Sequence, residues 1–212
     1  YLDVVLEKFS VLNPSHFLMI ETESGQEKLD YEADFSSFLI IHNNQSIGTF
    51  IFSENLIISS FKYERRQFEI NMIDNNLILF DVNDLIYIKT FSCEVKEKIN
   101  DINMNEESFQ SSSTPKCLEL AIEIDKYTRN TFSSNISATN WAHALIAGVS
   151  QVYASEVNLN ISIVTTIIWE TTDPYASYVN NASNMLSALR SHWTSNNGGI
   201  NRDLVHLMTK RT

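Results

Sequence analysis

The chain has 212 residues, 43% of them hydrophobic, which is enough to build a core for one large or two small domains. Its formal net charge of -11, with only 15 Lys plus Arg, would repel a phosphate backbone and argues against a nucleic-acid partner. The longest apolar run, Ile161 to Trp169, reaches about half of the roughly 20 residues that cross a bilayer, so no membrane span is expected.

The first half of the chain predicts antiparallel β structure. Short apolar runs alternate with polar turns at intervals of roughly 8 to 12 residues, and Asp74-Asn75-Asn76 suits a tight hairpin. Its acidic residues show no paired spacing and no neighbouring base, so they are read as solvated charges. We predict a β-sandwich or curved sheet over residues 1–96, built from the runs Asp3–Leu12, Phe17–Glu21, Phe35–His42, Ile47–Phe52, Leu56–Tyr63, Phe68–Ile73, Leu77–Asp81 and Ile86–Phe91.

Residues 97–116 predict a flexible linker. The stretch is charged and polar, and it ends in a serine triplet followed by Thr114-Pro115. Such a segment is easily cut. The two cysteines, Cys93 and Cys117, are too few for a disulfide scaffold, although they could pair with each other or with residues outside this chain.

The second half, residues 117–212, alternates strands and helices. Strands are predicted at Cys117–Asp125, Asn160–Trp169 and Asp203–Met208. The resulting β-α-β-α-β order favours a largely parallel sheet with right-handed crossovers. The first helix should follow a cap at Ser137/Thr139, and the second should end at Asn196-Asn197-Gly198-Gly199. The predicted buried faces are Trp141, Leu145, Ile146, Val149, Val152 and Tyr153 on the first helix, and Met185, Leu186, Leu189 and Trp193 on the second.

Two further patterns bear on the class of protein. Asn-x-Ser triplets, which favour a secretory route, begin at Asn44, Asn135, Asn160 and Asn181. A doubly wound nucleotide-binding domain would also alternate strands and helices, but neither GxGxxG nor GxxxxGK[ST] follows any strand.

The segments CLELAIEID, TNWAHALIAGVSQVYASEV, NISIVTTIIWETTDPY, NMLSALRSHWTSN and INRDLVHLMTKR carry a resemblance. In order and spacing they resemble the N-terminal subdomain of reprolysin-like (adamalysin-type) metzincin zinc metallopeptidases. LEKFSVLNP and LILFDVNDL resemble the β-rich prodomain of that family. The resemblance implies an α+β two-domain chain, in which a β prodomain-like domain precedes an incomplete metzincin subdomain.

The resemblance implies a secreted zinc metalloendopeptidase, made as a zymogen, that hydrolyses peptide bonds with zinc-activated water. The family's zinc helix carries HExxHxxGxxH, in which the histidines bind the metal and the glutamate is the general base. No HExxH occurs in this chain. We therefore assign no catalytic residue and expect the chain alone to be inactive, with the zinc ligands outside it. The implied partners are a protein or peptide substrate and the remainder of its own catalytic domain. The histidines, far apart in sequence, are His16, His42, His143, His192 and His206.

The resemblance also implies two metal-ligating roles. Glu119 and Asp203 match the family's structural calcium site, since carboxylate oxygens suit calcium. Both could instead be ordinary exposed carboxylates. Cys93 lies in the half where a prodomain cysteine would ligate the zinc, yet it could equally be buried or disulfide-bonded.

His143 and His206 are interpreted as packed or surface residues, and Trp141, Trp169 and Trp193 as core. The alternative function is a non-enzymatic secreted or surface binding module on a degenerate peptidase-like scaffold.

Overall fold

The structure is a computed structural model that describes residues 2–53, 56–73, 76–84, 115–178 and 181–211. Over these residues the chain is a mixed α+β fold, with an antiparallel first sheet and a second, mixed sheet. The strands are β1 (Val5–Phe9), β2 (Leu12–Thr22), β3 (Gly25–Leu29), β4 (Ser36–His42), β5 (Gln45–Ser53), β6 (Leu56–Tyr63), β7 (Arg66–Ile73), β8 (Asn76–Asp81), β9 (Lys116–Ile124), β10 (Leu159–Trp169) and β11 (Leu204–Met208). The helices are α1 (Lys126–Arg129), α2 (Asn135–Val157) and α3 (Ala182–Asn196), with a short 3-10 turn at Val82–Asp84.

The first sheet has six antiparallel strands in the order β1-β4-β5-β6-β7-β8. Seven of the eight predicted apolar runs coincide with strands, and the eighth, Ile86–Phe91, lies outside the described residues. Ile73 pairs with Asn76, which confirms the hairpin predicted between these strands. Gly48 on β5 lets the backbones of strands β5 and β6 approach closely, because a Cβ at this position would lie 2.1 Å from the Ser60 carbonyl oxygen.

The second sheet has five strands in the order β11-β9-β10-β2-β3. Three of its strands are the predicted parallel set, since β10 and β11 both pair in parallel with β9, and β11 is an edge strand. The other two strands come from the first half of the chain. β2 pairs in parallel with β10 and antiparallel with β3, and the amide of Ile163 donates to the carbonyl of Val11 at 2.7 Å. One sheet therefore contains strands from both predicted domains, while the predicted linker, except for Pro115 and Lys116, lies outside the described residues.

The layers follow the order sheet, helix, sheet, helix. α2 lies between the two sheets, where it contacts β5 and β6 on one side and β9 and β10 on the other. The opposite face of the second sheet is covered by α3 through Met185, Leu189 and Trp193. Two hydrophobic cores result, one around α2 and one beneath α3. No helix in the described part of the chain has the length and apolar character of a membrane span.

The predicted start and buried face of α2 both need correction. The helix begins one turn earlier than predicted, because Ser134 and Ser137 form a reciprocal capping box. Its buried positions are mostly small, which suits a helix packed closely between two sheets. Of the predicted buried face, Ile146 is buried, Trp141 is half-buried, and the following four residues are 36–51% exposed: Leu145, Val149, Val152 and Tyr153.

α3 agrees better with its prediction. It ends at Asn196, as the Asn-Gly cluster predicted, and Met185, Leu189 and Trp193 are buried. Leu186 was also predicted to be buried, but it is 64% exposed because it lies on the outer side of the helix. The core assignment of Trp169 and Trp193 is confirmed, since they are 7% and 2% exposed.

Candidate functional site

The two carboxylates predicted to bind calcium lie side by side. The amide of Glu119 donates to Asp203 Oδ2 at 2.8 Å, and the amide of Asp203 donates to the carbonyl of Glu119 at 2.8 Å. The side chain of Asn201 donates to Glu119 Oε2 at 2.7 Å. The structure therefore brings the pair together from β9 and the turn before β11. Each side chain has one oxygen engaged by a protein donor, so calcium binding here stays a prediction.

The remaining predicted site residues are dispersed. Cys93 lies outside the described residues, and Cys117 is a free, exposed thiol. His206 is exposed, whereas His143 is fully buried. Among the residues that the structure describes, no three His, Cys, Asp or Glu side chains gather into a metal site. These residues therefore do not fit the zinc that the resemblance implies.

The four sequon asparagines occupy different local environments. Asn44 is exposed in the β4–β5 turn at φ 61°, and Asn160 is an exposed residue of β10. Asn181 caps α3, with its Oδ1 accepting the amide of Asn184 at 3.0 Å. Asn135 is engaged at both ends of its amide, by Arg129 and Glu170. Asn135 is thus the least accessible of the four, and glycosylation of all of them stays a prediction.

A buried glutamate on β9 forms the most unusual polar site in the described structure. Glu123 has no solvent exposure, and its neighbours along the strand, Ile122 and Ile124, are apolar and buried as well. Its Oε1 accepts hydrogen bonds from the indole of Trp169 and from the hydroxyl of Tyr175, the latter at 2.7 Å. Its Oε2 accepts one from the indole of Trp193. One carboxyl group thereby holds together the end of β10, the loop that follows it, and α3.

Burial dominates the electrostatics of this glutamate. Loss of solvation raises the pKa of Glu123 to about 7, against the three donated hydrogen bonds, which favour the carboxylate. Burial likewise raises the pKa of Tyr175, so its hydroxyl remains a donor. A carboxyl group that titrates near neutrality is suited to general acid-base catalysis. Glu123, however, has no exposed atom with which to meet a substrate, so we assign it a positioning role in the fold.

A second buried polar cluster closes the end of the same sheet. The side chain of Arg211 is 7% exposed and forms ion pairs with two buried aspartates, to Asp125 Oδ2 at 2.9 Å and to Asp173 Oδ2 at 2.5 Å. Asp125 also caps α1 by accepting the amide of Thr128 at 2.7 Å. The Arg211 side chain thus fastens the segment after β11 to the end of β9. No local sequence pattern indicates this contact, because both aspartates are remote from Arg211 in the chain.

The parallel strands β9, β10 and β11, covered by α3, form the largely parallel α/β segment that the sequence predicted for the second half of the chain. Residues 114–212 match the family model "Reprolysin_5: Metallo-peptidase family M12". Over these residues the chain is similar to the reprolysin-like metallopeptidases, in agreement with the resemblance seen in the sequence. The match does not extend over the first half.

None of the curated proteins matches the chain. Among solved structures, the crystal structure of metalloproteinase-II from Bacteroides fragilis is similar, with a TM-score of 0.38 and 12% sequence identity. The similarity covers 92% of this chain and 59% of that one, so the chain spans less than two thirds of that protein. A likeness this distant carries no argument about fold or activity.

Proposed function

We propose that this chain is part of a secreted, zinc-dependent metalloendopeptidase that is made as a proenzyme, and that it comprises a propeptide and the N-terminal part of the catalytic domain. The observation that carries the proposal is the family match over residues 114–212. The parallel arrangement of β9, β10 and β11 supports the proposal, because these strands lie in three of the five segments whose sequences resemble the family. The zinc motif is proposed to lie outside residues 1–212, since the sequence contains no HExxH.

Within this proposal the first half acts as the propeptide. The support is its attachment to the peptidase-like half: β2 extends the second sheet beside β10, and β5 and β6 contact α2. Cleavage within 97–116 would separate the two halves in sequence without breaking these contacts. The two halves would then remain associated until the contacts themselves are released.

In this family zinc, when bound, supplies an activated water that hydrolyses the peptide bond. No described residue of this chain takes a step in that chemistry. The contribution of residues 117–212 is a rigid sheet, fixed at one end by Glu123 and Arg211.

The test uses the natural full-length polypeptide that contains this chain. We expect it to hold stoichiometric zinc by mass spectrometry and to cleave casein, and a chelator such as 1,10-phenanthroline should abolish the cleavage. Residues 1–212 alone serve as the control and should show neither property. A full-length protein without zinc and without cleavage would favour the non-enzymatic binding module instead.

The calcium proposal for Glu119 and Asp203 can be tested on the chain itself. Added calcium should raise the thermal unfolding midpoint of the wild type, because a ligand that binds only the folded state stabilises it. The double variant E119Q/D203N should lose this response, while E7Q, an exposed glutamate on β1, should keep it. If calcium does not change the unfolding midpoint of the wild type, Glu119 and Asp203 are ordinary carboxylates and the calcium proposal is wrong.

A further inference from the structure

Two histidines that are remote in sequence meet where the first half of the chain contacts the second. His16 lies on β2 and His143 on α2, and their ring centroids are 5.1 Å apart. Both approach the hydroxyl of Thr166 on β10, His16 Nε2 at 3.2 Å and His143 Nε2 at 2.7 Å. Tyr31, which follows β3, completes the group by contacting His143 Nδ1 at 3.0 Å. We call these residues, together with Asn140 of α2, the histidine cluster.

The hydrogen bonds of the cluster form one continuous chain. The hydroxyl of Tyr31 donates its only proton to Asn140 Oδ1 at 2.7 Å, so His143 Nδ1 is the donor to Tyr31. A neutral His143 then accepts at Nε2 from the hydroxyl of Thr166, whose oxygen accepts from His16 Nε2. Every polar atom in the chain of hydrogen bonds is satisfied when both imidazoles are neutral.

The surroundings of the cluster disfavour a positive charge. His143 and Thr166 are fully buried, and the rings of His16, Tyr31 and Phe35 surround His143. Within the described residues, neither imidazole forms a hydrogen bond to a carboxylate. The charged groups that face His16 line an open pocket beside β3 and the segment after it: Lys28, Asp30 and Glu32. The negative charge of Asp34 helps to raise the pKa of Tyr31. In the described contacts of the cluster, His143 is the one titratable side chain that α2 and β10 contribute.

We infer that the histidine cluster makes the attachment of the β2–β3 hairpin to the second half of the chain sensitive to acid. Protonation of His16 and His143 would place two positive charges on rings whose centroids are 5.1 Å apart. The repulsion would act at the contact that joins strands of the first half to the second half. The hairpin and the segment carrying Tyr31 are then released from β10 and α2. This release depends on the fold alone and does not require peptidase activity.

The direction of the effect follows from the two imidazoles. Burial lowers the pKa of His16 to about 4, and burial together with His16 lowers the pKa of His143 well below its usual value. In the released state both return to about 6.5. The attachment is therefore complete above pH 6.5 and weakens as the pH falls. Between pH 7 and 5.5 the released population should grow roughly eightfold for each histidine and about 70-fold for both.

The test is hydrogen exchange by mass spectrometry on the full chain at pH 7 and 5.5, corrected for the intrinsic exchange rate. Peptides covering residues 12–35 should lose protection by about 70-fold, while peptides from β5 to β7 should change far less. The double variant H16Q/H143Q should remove the difference between the two pH values. The matched control is H42Q, a histidine of β4 in the other sheet, which should behave like the wild type.

The double variant could fail to fold, so a second measurement uses the wild type alone. Ring NMR signals of His16 and His143 should show no titration in the folded protein until the protection of the hairpin is lost. The inference is overturned if either ring titrates near pH 6.5 while the hairpin remains protected. Equal loss of protection in both sheets, or no loss at pH 5.5, would overturn it as well.

Discussion

Glu123 makes the stability of the second half depend on pH in a direction that can be worked out from the structure. Its pKa in the folded chain is about 7, while an unfolded chain restores the ordinary value of 4.5. The folded state therefore holds the proton more tightly, so the stability that this group contributes is greatest below pH 4.5 and falls as the pH rises through 7. Between pH 5 and 8 this one group should remove about 2.5 kcal/mol from the free energy of unfolding.

The substitution E123Q isolates that contribution, because the amide does not titrate. The glutamine side chain would also point an N–H at one or more of the groups from which Glu123 accepts hydrogen bonds. This loss of hydrogen bonding should lower the free energy of unfolding by about 1–3 kcal/mol. At pH 5 the variant should therefore be less stable than the wild type, and the gap should shrink or reverse by pH 8. The control E7Q changes an exposed glutamate on β1 and should not alter how the free energy of unfolding changes with pH.

The assay is urea unfolding followed by the fluorescence of Trp169 and Trp193, both of which contact Glu123. The quantity of interest is the difference in unfolding free energy between wild type and E123Q at each pH. This difference isolates the single group, since the other titrating residues are common to both proteins. A difference that stays constant from pH 5 to 8 would refute the elevated pKa and the burial argument behind it.

Two further substitutions test the packing. R211M leaves two buried aspartates without their counter-ion and should cost about 3–5 kcal/mol in urea unfolding, whereas R190M, on the exposed side of α3, should cost under about 0.5 kcal/mol. G48A should cost about 1–3 kcal/mol or prevent folding, because its Cβ would meet the Ser60 backbone, whereas G199A has nothing within 4 Å and should be nearly neutral. Equal losses within either pair would contradict the contacts described.

The sequence predicted the local elements better than their partners. Apolar periodicity located the strands of the first sheet and the β-α-β-α-β order, because these depend on neighbouring residues. It missed β3, whose residues GQEKL are polar and do not alternate. It could not show that β2 pairs with β10, since that contact joins residues separated by about 150 positions in the chain. Strand pairing over such separations leaves no local periodic signal.

The polar sites divide in the same way. Glu123 carries a local signal, because a glutamate between Ile122 and Ile124 in an apolar strand requires buried hydrogen-bond donors. Arg211 had none, because its two aspartate partners lie 86 and 38 residues away, counted as 211 − 125 and 211 − 173. The resemblance placed Glu119 and Asp203 together, as the structure does, since it carried information about tertiary structure that periodicity does not contain.

The two buried titrating sites lie on opposite sides of the second sheet and respond to acid in opposite directions. Glu123 faces the core beneath α3, where protonation stabilises the fold, and His143 faces β10 from α2, where protonation weakens a contact with the first half. Acidification should therefore strengthen the β9–β10–α3 side while it loosens the hairpin. This opposition separates local release from general acid unfolding. If the tryptophan-detected stability and the protection of residues 12–35 fell together below pH 6, a common unfolding event would explain both, and neither site would act independently.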